Sequence, residues 1–251
     1  MYNNYCKYIT TILNDNIEDL DFKSNQIYRV ILEHVSKELG DEYLSVIQDK
    51  FSDIYNKNFS YITALCKIND YIGKPEIYQF DNFTKCSPSN LRYILHSLLI
   101  LSYMDKNKLN DIDIIEIGGG YGGLCFYLYK LSHMFNININ TYTIYDLPKP
   151  LLLQKKYLNY YNITNVNFNY ISDTENLKNG SFLISNYAFS EIPIVLQNIY
   201  SKNIINPYTS YGFLCWNHID VYNFVDNKNI TVEPEVPLTG NNNKYVYYSP
   251  L

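Results

Sequence analysis

The sequence has 251 residues, of which 47% are hydrophobic and 18% are charged, and its net charge is −5. These values are typical of a globular protein and exclude a largely disordered chain. The acidic balance, without a cluster of lysine and arginine, argues against a surface that binds nucleic acid. The length suits either one large domain or a catalytic domain with a smaller one attached.

The five cysteines are widely spaced and form no C-x-x-C pair, so neither a zinc site nor a disulfide framework is predicted. The first residues lack a basic stretch followed by an apolar one, and no apolar run is long enough to span a membrane. We therefore expect a cytoplasmic protein without a membrane partner. The sequence does not decide the oligomeric state and leaves a homodimer open.

The first part of the chain, residues 1–105, is expected to be a helical region. Apolar residues recur at helical spacing over residues 27–35 and again over residues 91–99. Residues that cap helices precede both segments: Ser24, Asn25 and the Ser-Pro-Ser-Asn sequence at 87–90. Within the second segment, Arg92 and Tyr93 are expected on a solvated helix face, with a position over the active site as the alternative. His96 is expected at a structural position on the apolar face.

The second part, residues 106–251, changes to short β-rich segments separated by helical ones. This alternation is typical of an α/β domain, a mostly parallel sheet with helices on both faces. The expected strands are residues 112–117, 140–145, 166–171, 181–186, 212–216 and 244–248. The expected helices between them are residues 123–134, 149–161 and 192–205.

A glycine-rich segment, Glu116-Ile117-Gly118-Gly119-Gly120-Tyr121-Gly122-Gly123, ends the first expected strand. Its glycines let the backbone turn tightly and approach a ligand closely, and the following helix directs its N-terminal amides at that ligand. The same segment fits the G-x-G-x-x-G fingerprint of dinucleotide-binding proteins. The glycines alone therefore leave NAD, FAD and S-adenosylmethionine as alternatives.

Two acidic residues narrow this choice. Glu116 lies two residues before the first glycine, where a dinucleotide-binding strand is normally apolar and where an acid suits the ammonium group of S-adenosylmethionine. Asp146 follows the second strand and can accept hydrogen bonds from both ribose hydroxyls, which suits either kind of cofactor. The chain after the glycines is short for a dehydrogenase with a separate substrate domain. S-adenosylmethionine is therefore the predicted cofactor.

Three segments together resemble the sugar O-methyltransferase family of class I methyltransferases. They are the glycine-rich segment, Tyr145-Asp146-Leu147-Pro148 and Asn186-Tyr187-Ala188-Phe189-Ser190-Glu191. The resemblance covers roughly residues 85–250 and implies a Rossmann-like sheet whose last strand is antiparallel. It also implies methyl transfer from S-adenosylmethionine to a hydroxyl of a sugar, a nucleotide sugar or a glycan precursor. The alternatives are another small-molecule acceptor, an NAD-linked oxidoreductase and a non-catalytic scaffold.

The resemblance also implies contacts for individual residues. Asp173 follows the third strand, where such enzymes often contact the adenine amino group, although a turn residue is an equal alternative. Asn186 ends the fourth strand and is expected to bind cofactor or substrate. The other implied cofactor contacts are Glu116, Gly118, Gly120 and Tyr121 on the methionine side, and Asp146 and Leu147 at the ribose.

Methyl transfer to a hydroxyl requires an aligned acceptor and a base that removes its proton. His218 follows a buried strand and is the first candidate, with a strand cap or a loop hydrogen bond as its alternative. Glu191 is the second candidate, and its alternative is the start of a helix. The uncharged Asn186 argues against a metal-dependent mechanism, which would need a cluster of carboxylates.

Overall fold

The computed structural model describes residues 2–32 and 34–251. In this part of the chain, the region before residue 107 is helical, as expected, and also contains a short antiparallel hairpin. Its helices are α1 (Tyr2–Ile12), α2 (Gln26–Arg29), α3 (Lys37–Lys50), α4 (Ser52–Lys57), α5 (Phe59–Tyr71) and α6 (Pro88–Lys106). The hairpin strands are β1 (Tyr78–Gln79) and β2 (Lys85–Cys86), and Ile17–Asp19 forms a 3₁₀ turn.

The helix expected over residues 27–35 is wrong in extent, because α2 ends at Arg29. Asn25 caps it as predicted, since its side chain accepts a hydrogen bond from the Ile27 amide at 3.0 Å. Ile27 and Val30 are 42% and 58% exposed, so their apolar spacing does not mark a buried helix face.

Helix α6 begins as predicted, with the Ser87 side chain as its cap and Pro88 in its first turn. It is buried over almost its whole length. Arg92 and Tyr93 are each only 7% exposed, so the solvated face expected for them is wrong. His96 is fully buried, in keeping with its place on the apolar pattern.

Seven strands form the main sheet. They are β3 (Asp111–Ile117), β4 (Asn138–Tyr145), β5 (Val166–Asn169), β6 (Ser181–Asn186), β7 (Thr209–Trp216), β8 (Lys228–Pro234) and β9 (Lys244–Pro250). Their order across the sheet is β5-β4-β3-β6-β7-β9-β8. Neighbours from β5 to β7 are parallel, whereas β9 is antiparallel to both β7 and β8. The mostly parallel sheet with an antiparallel last strand is therefore confirmed.

Helices and turns connect these strands. They are α7 (Gly123–Leu131), a 3₁₀ turn (Ser132–Phe135), α8 (Pro148–Tyr160), α9 (Ala188–Glu191), α10 (Ile194–Tyr200), a π-helical turn (Ser201–Ile205) and α11 (Asn206–Tyr208). The helix expected over residues 192–205 is interrupted at its start, because Pro193 is extended and α10 begins after it. Strand β8 was not predicted: most of its residues are exposed, and only two apolar residues, Ile230 and Val232, alternate with polar ones in it.

Successive residues of the central strands enter two separate cores. On β3, Ile114 belongs to one core and Ile115 to the other, as the alternation of a strand requires. The first core also contains residues of α3, α5 and α6, so the N-terminal helices share a core with one face of the sheet. Tyr200 and Ile204 help to cover the other face. The α/β class is thus confirmed, while the domain boundary at 105/106 stays a prediction.

No helix in residues 2–32 and 34–251 is long and apolar enough to cross a membrane.

Candidate functional site

A cavity of about 1050 Å³ opens at the carboxyl ends of β3, β4 and β6. Ligands bind at this edge in open α/β sheets. Residues of the N-terminal region, among them Tyr5, Leu32, His34 and Arg92, line the cavity together with residues of the sheet. Both parts of the chain therefore form the site.

The glycine turn after β3 needs glycine at Gly118 in particular. Gly118 has a φ of +80°, and a Cβ atom there would overlap the Cβ of Ala188. Gly120 has a φ of +58°, and its Cβ would lie 3.6 Å from the nearest atom of Leu32, an ordinary contact. Both glycines line the cavity, so the backbone itself forms part of its wall.

The Glu116 carboxyl group is buried at the end of β3 and lines the cavity. It accepts a hydrogen bond from the Tyr142 hydroxyl at 2.9 Å. Burial raises the pKa of Glu116 to about 8, although the Tyr142 hydrogen bond acts in the opposite direction. Within the described residues Glu116 forms no salt bridge. A cationic ligand beside this carboxyl group would stabilise its ionised form.

Asp146, at the end of β4, is held by three donors. It accepts hydrogen bonds from the amides of Gly119 at 3.1 Å and Leu147 at 2.7 Å, and from the Gln154 side chain at 2.8 Å. Burial raises the pKa of Asp146 to about 6, while these hydrogen bonds lower it. Gln154 also donates to the Gly120 carbonyl at 3.0 Å and so ties the glycine turn to Asp146. Asp146 and Leu147 both line the cavity.

Two of the expected cofactor contacts lie outside the cavity lining. Tyr121 is fully buried, and its hydroxyl bonds to the Asn69 side chain instead. Asp173 closes a turn, where its carboxylate accepts a hydrogen bond from the Tyr170 amide at 2.9 Å. Tyr170 and Ile171 line the cavity in its place. This geometry favours the turn alternative for Asp173.

The two candidate bases, Glu191 and His218, lie next to each other and both line the cavity. The distance from His218 Nε2 to Glu191 Oε1 is 3.7 Å. Asn217 donates a hydrogen bond to the same Glu191 oxygen at 2.7 Å. His218 has a φ of +63°, a left-handed conformation that is costly for residues other than glycine and recurs at functional sites. The two side chains are therefore neighbours in the cavity wall.

Asn186 lines the cavity at the end of β6, and its side-chain nitrogen lies 2.8 Å from His96 Nδ1. Arg92 and Tyr93 also line the cavity, which agrees with their alternative position over the site. His34 lines it too, and sequence reasoning did not assign it, because its position over the sheet depends on how the N-terminal region packs. Gln154 was missed as well, although its place on the helix after Asp146 is a signal that could have found it.

No protein-family model matches the chain, and no curated protein matches it. Among solved structures, the citrinin polyketide synthase CMeT domain is similar with a TM-score of 0.47 and 13% identity, over 66% of this chain and 55% of that chain. A variant of MtNAS has a TM-score of 0.45 and 14% identity, over 100% and 98% of the chains. TrmK of M. capricolum, bound to S-adenosyl-homocysteine, has a TM-score of 0.39 and 15% identity, over 59% and 66%. At TM-scores below 0.5, none of these similarities assigns an activity to this chain.

Proposed function

We propose that this chain is an S-adenosylmethionine-dependent O-methyltransferase that acts on a hydroxyl of a sugar, a nucleotide sugar or a glycan precursor. One observation carries the proposal: Glu116, the glycine turn and Asp146 line a single cavity at the ends of two adjacent parallel strands. Glu116 suits the ammonium group of the cofactor, and Asp146 suits the ribose hydroxyls. When bound, S-adenosylmethionine supplies a methyl group from its sulfonium centre.

The same residues argue against a dinucleotide cofactor. A pyrophosphate is anionic and normally sits against free amides at the start of the helix after the glycine turn. Here the Gly119 amide already donates to Asp146, and the buried Glu116 carboxyl group lies beside the turn. The Glu116 carboxyl group at this point disfavours a phosphate and favours a cation, whereas Asp146 suits either kind of cofactor.

His218 and Glu191 supply the proton transfer that O-methylation needs. In the proposed reaction, His218 accepts the proton of the acceptor hydroxyl, because a neutral imidazole is a base near neutral pH. Glu191, whose Oε1 atom lies 3.7 Å from His218 Nε2, stabilises the imidazolium that results, and Asn217 donates a hydrogen bond to Glu191. The cavity walls align the acceptor oxygen for in-line displacement.

The size of the cavity and one polar stretch of its wall support a hydroxyl-rich acceptor. Its volume of about 1050 Å³ is at the upper end for a small-molecule site, which leaves room for a second molecule beside the cofactor. Thr239, Asn241 and Asn243 contribute to the wall, and their side chains both donate and accept hydrogen bonds. Such groups match the hydroxyls of a sugar.

A methyl-transfer screen with labelled cofactor tests the acceptor class. Nucleotide sugars, free glycosides, and non-sugar phenols, amines and thiols are supplied in parallel. We expect label to appear in a methyl ether of a sugar hydroxyl. Transfer only to the non-sugar compounds would refute the sugar acceptor but would still support methyltransferase activity. Cofactor binding without any methyl transfer would favour a non-catalytic scaffold.

The stability of the free protein is expected to fall as the pH rises from about 5 to about 8. Burial raises the pKa of Glu116 from 4.5 to about 8, so the folded protein keeps a proton that the unfolded chain has lost. The loss between pH 6 and 8 should be about 2 kcal/mol of unfolding free energy. The pKa of Asp146 is raised from 3.8 to about 6. This residue therefore also makes the unfolding free energy decrease as the pH rises, but at lower pH values.

Glu116→Gln should remove most of the decrease in unfolding free energy between pH 6 and 8. The decrease below pH 6 that Asp146 causes should remain. S-adenosylhomocysteine should reduce the fall in the wild-type protein, because its ammonium group stabilises the ionised carboxylate. Denaturant unfolding curves recorded across this pH range provide the measurement. The same slope in the variant and the wild type would contradict the role given to Glu116.

A further inference from the structure

Three side chains with metal-binding atoms meet behind the cavity. They are His96 on α6, Cys215 on β7 and Glu235 just after β8, and they are 0%, 1% and 2% exposed. Their ligand atoms all lie within 4.8 Å of one another. None of the three lines the cavity, so the cluster is separate from the site proposed for the cofactor.

The spacing of the nitrogen and sulfur atoms suits a tetrahedral metal ion. Cys215 Sγ lies 3.8 Å from His96 Nε2 and 3.9 Å from His96 Nδ1. In a tetrahedral zinc site with Zn–S and Zn–N bonds of about 2.3 and 2.0 Å, the two ligand atoms are about 3.5 Å apart. The sulfur is almost equidistant from the two ring nitrogens, so the imidazole has to turn to direct Nε2 at an ion that Cys215 also holds.

Asn186 is placed to orient both of these ligands. Its amide group lies 2.8 Å from His96 Nδ1 and 3.4 Å from Cys215 Sγ. If the amide turns over, its oxygen accepts a hydrogen bond from Nδ1–H and its nitrogen donates to the thiolate. His96 Nε2 then carries a free lone pair for the metal, which is the usual outer-shell arrangement of a histidine ligand.

Glu235 completes the set with a carboxylate. It accepts hydrogen bonds from the Thr239 amide at 2.8 Å, from the Thr239 hydroxyl at 2.6 Å and from the Tyr187 hydroxyl. A carboxylate offers about four acceptor positions, so one is left for an ion. Within the described residues Glu235 forms no salt bridge, and a divalent cation would neutralise its buried charge.

We propose that His96, Cys215 and Glu235 bind a divalent transition metal ion of the zinc type, with water in the fourth position. Imidazole, thiolate and carboxylate are the donors that zinc takes, and three protein ligands are enough to hold it. Binding releases the thiol proton of Cys215 to solvent. The sequence predicted no metal, because ligands 119 residues apart form no local motif. The ion fixes Asn186 and Tyr187, which line the neighbouring cavity.

The test is metal binding by the purified full-length chain after treatment with a chelator. We expect the protein to take up a single Zn²⁺ per chain, and Co²⁺ in its place to give a thiolate-to-cobalt charge-transfer absorption. Cys215→Ser should abolish this absorption. Cys125→Ser, which changes an equally buried thiol on α7, should retain it. Glu235→Gln should weaken zinc binding by about tenfold or more.

Circular dichroism checks that each variant folds, and His96→Gln replaces any variant that does not. The absence of cobalt absorption in the wild-type protein would overturn the proposal. So would an absorption that persists in Cys215→Ser, because another thiol would then be the ligand. Neither readout depends on the cofactor or on methyl transfer.

Discussion

Gly118→Ala is expected to lower the free energy of unfolding by about 3 kcal/mol and to abolish measurable binding of S-adenosylhomocysteine. The added Cβ would overlap the Cβ of Ala188, and the residue would have to keep a φ of +80°. Overpacking of this kind costs about 1–3 kcal/mol, and the left-handed backbone adds about 1–2 kcal/mol. Urea denaturation and calorimetric titration measure the two effects.

Gly120→Ala is the matched control for stability. Gly120 also has a positive φ, of +58°, but its Cβ would make only an ordinary contact with Leu32. We expect a loss of about 1 kcal/mol, from the backbone alone. Equal losses in the two variants would show that the overlap at Ala188 does not decide the shape of the turn.

His218→Ala is expected to reduce the rate of methyl transfer by about a hundredfold or more, the usual contribution of a general base. Glu191→Gln should have a smaller effect of the same kind, since Glu191 acts on the acceptor only through His218. If the two residues work as a pair, the double variant should lose little more than His218→Ala. Single-turnover rates at saturating cofactor measure these effects.

Two controls accompany these variants. His133→Ala changes a histidine that packs on the Tyr61 ring and does not line the cavity, so its rate should match the wild type. Binding of S-adenosylhomocysteine should persist in His218→Ala, because Glu116 and Asp146 hold the cofactor. Full activity in His218→Ala would refute its assignment as the base.

Features that depend on neighbouring residues were predictable from the sequence. Strand β6 has the predicted ends, and β3 and β7 end at the predicted residues, because buried parallel strands have strong apolar runs. Residues near such strand ends are expected to line a ligand site, and Glu116, Asp146 and Asn186 do line the cavity. His218 was predicted for the same reason, because it comes only two residues after the end of β7.

Features that depend on distant parts of the chain were not predictable. Strand β8 is mostly exposed and is placed only by its pairing with β9. His34 reaches the cavity because the segment before α3 covers the sheet, which no spacing in the sequence encodes. Tyr121 follows the glycine pattern but turns into a buried polar cluster with Asn69. The contact between Glu191 and His218 likewise exists only once β6 and β7 are paired.

The most direct test of the central claim compares two ligands on the purified chain. Calorimetric titration and thermal melts are recorded with S-adenosylhomocysteine and with NADH, for the wild type and for Asp146→Asn. We predict that S-adenosylhomocysteine binds and stabilises the wild type, that NADH does neither, and that Asp146→Asn loses most of the affinity. Stabilisation by NADH without any effect of S-adenosylhomocysteine would contradict the assignment of this cavity to a methyltransferase.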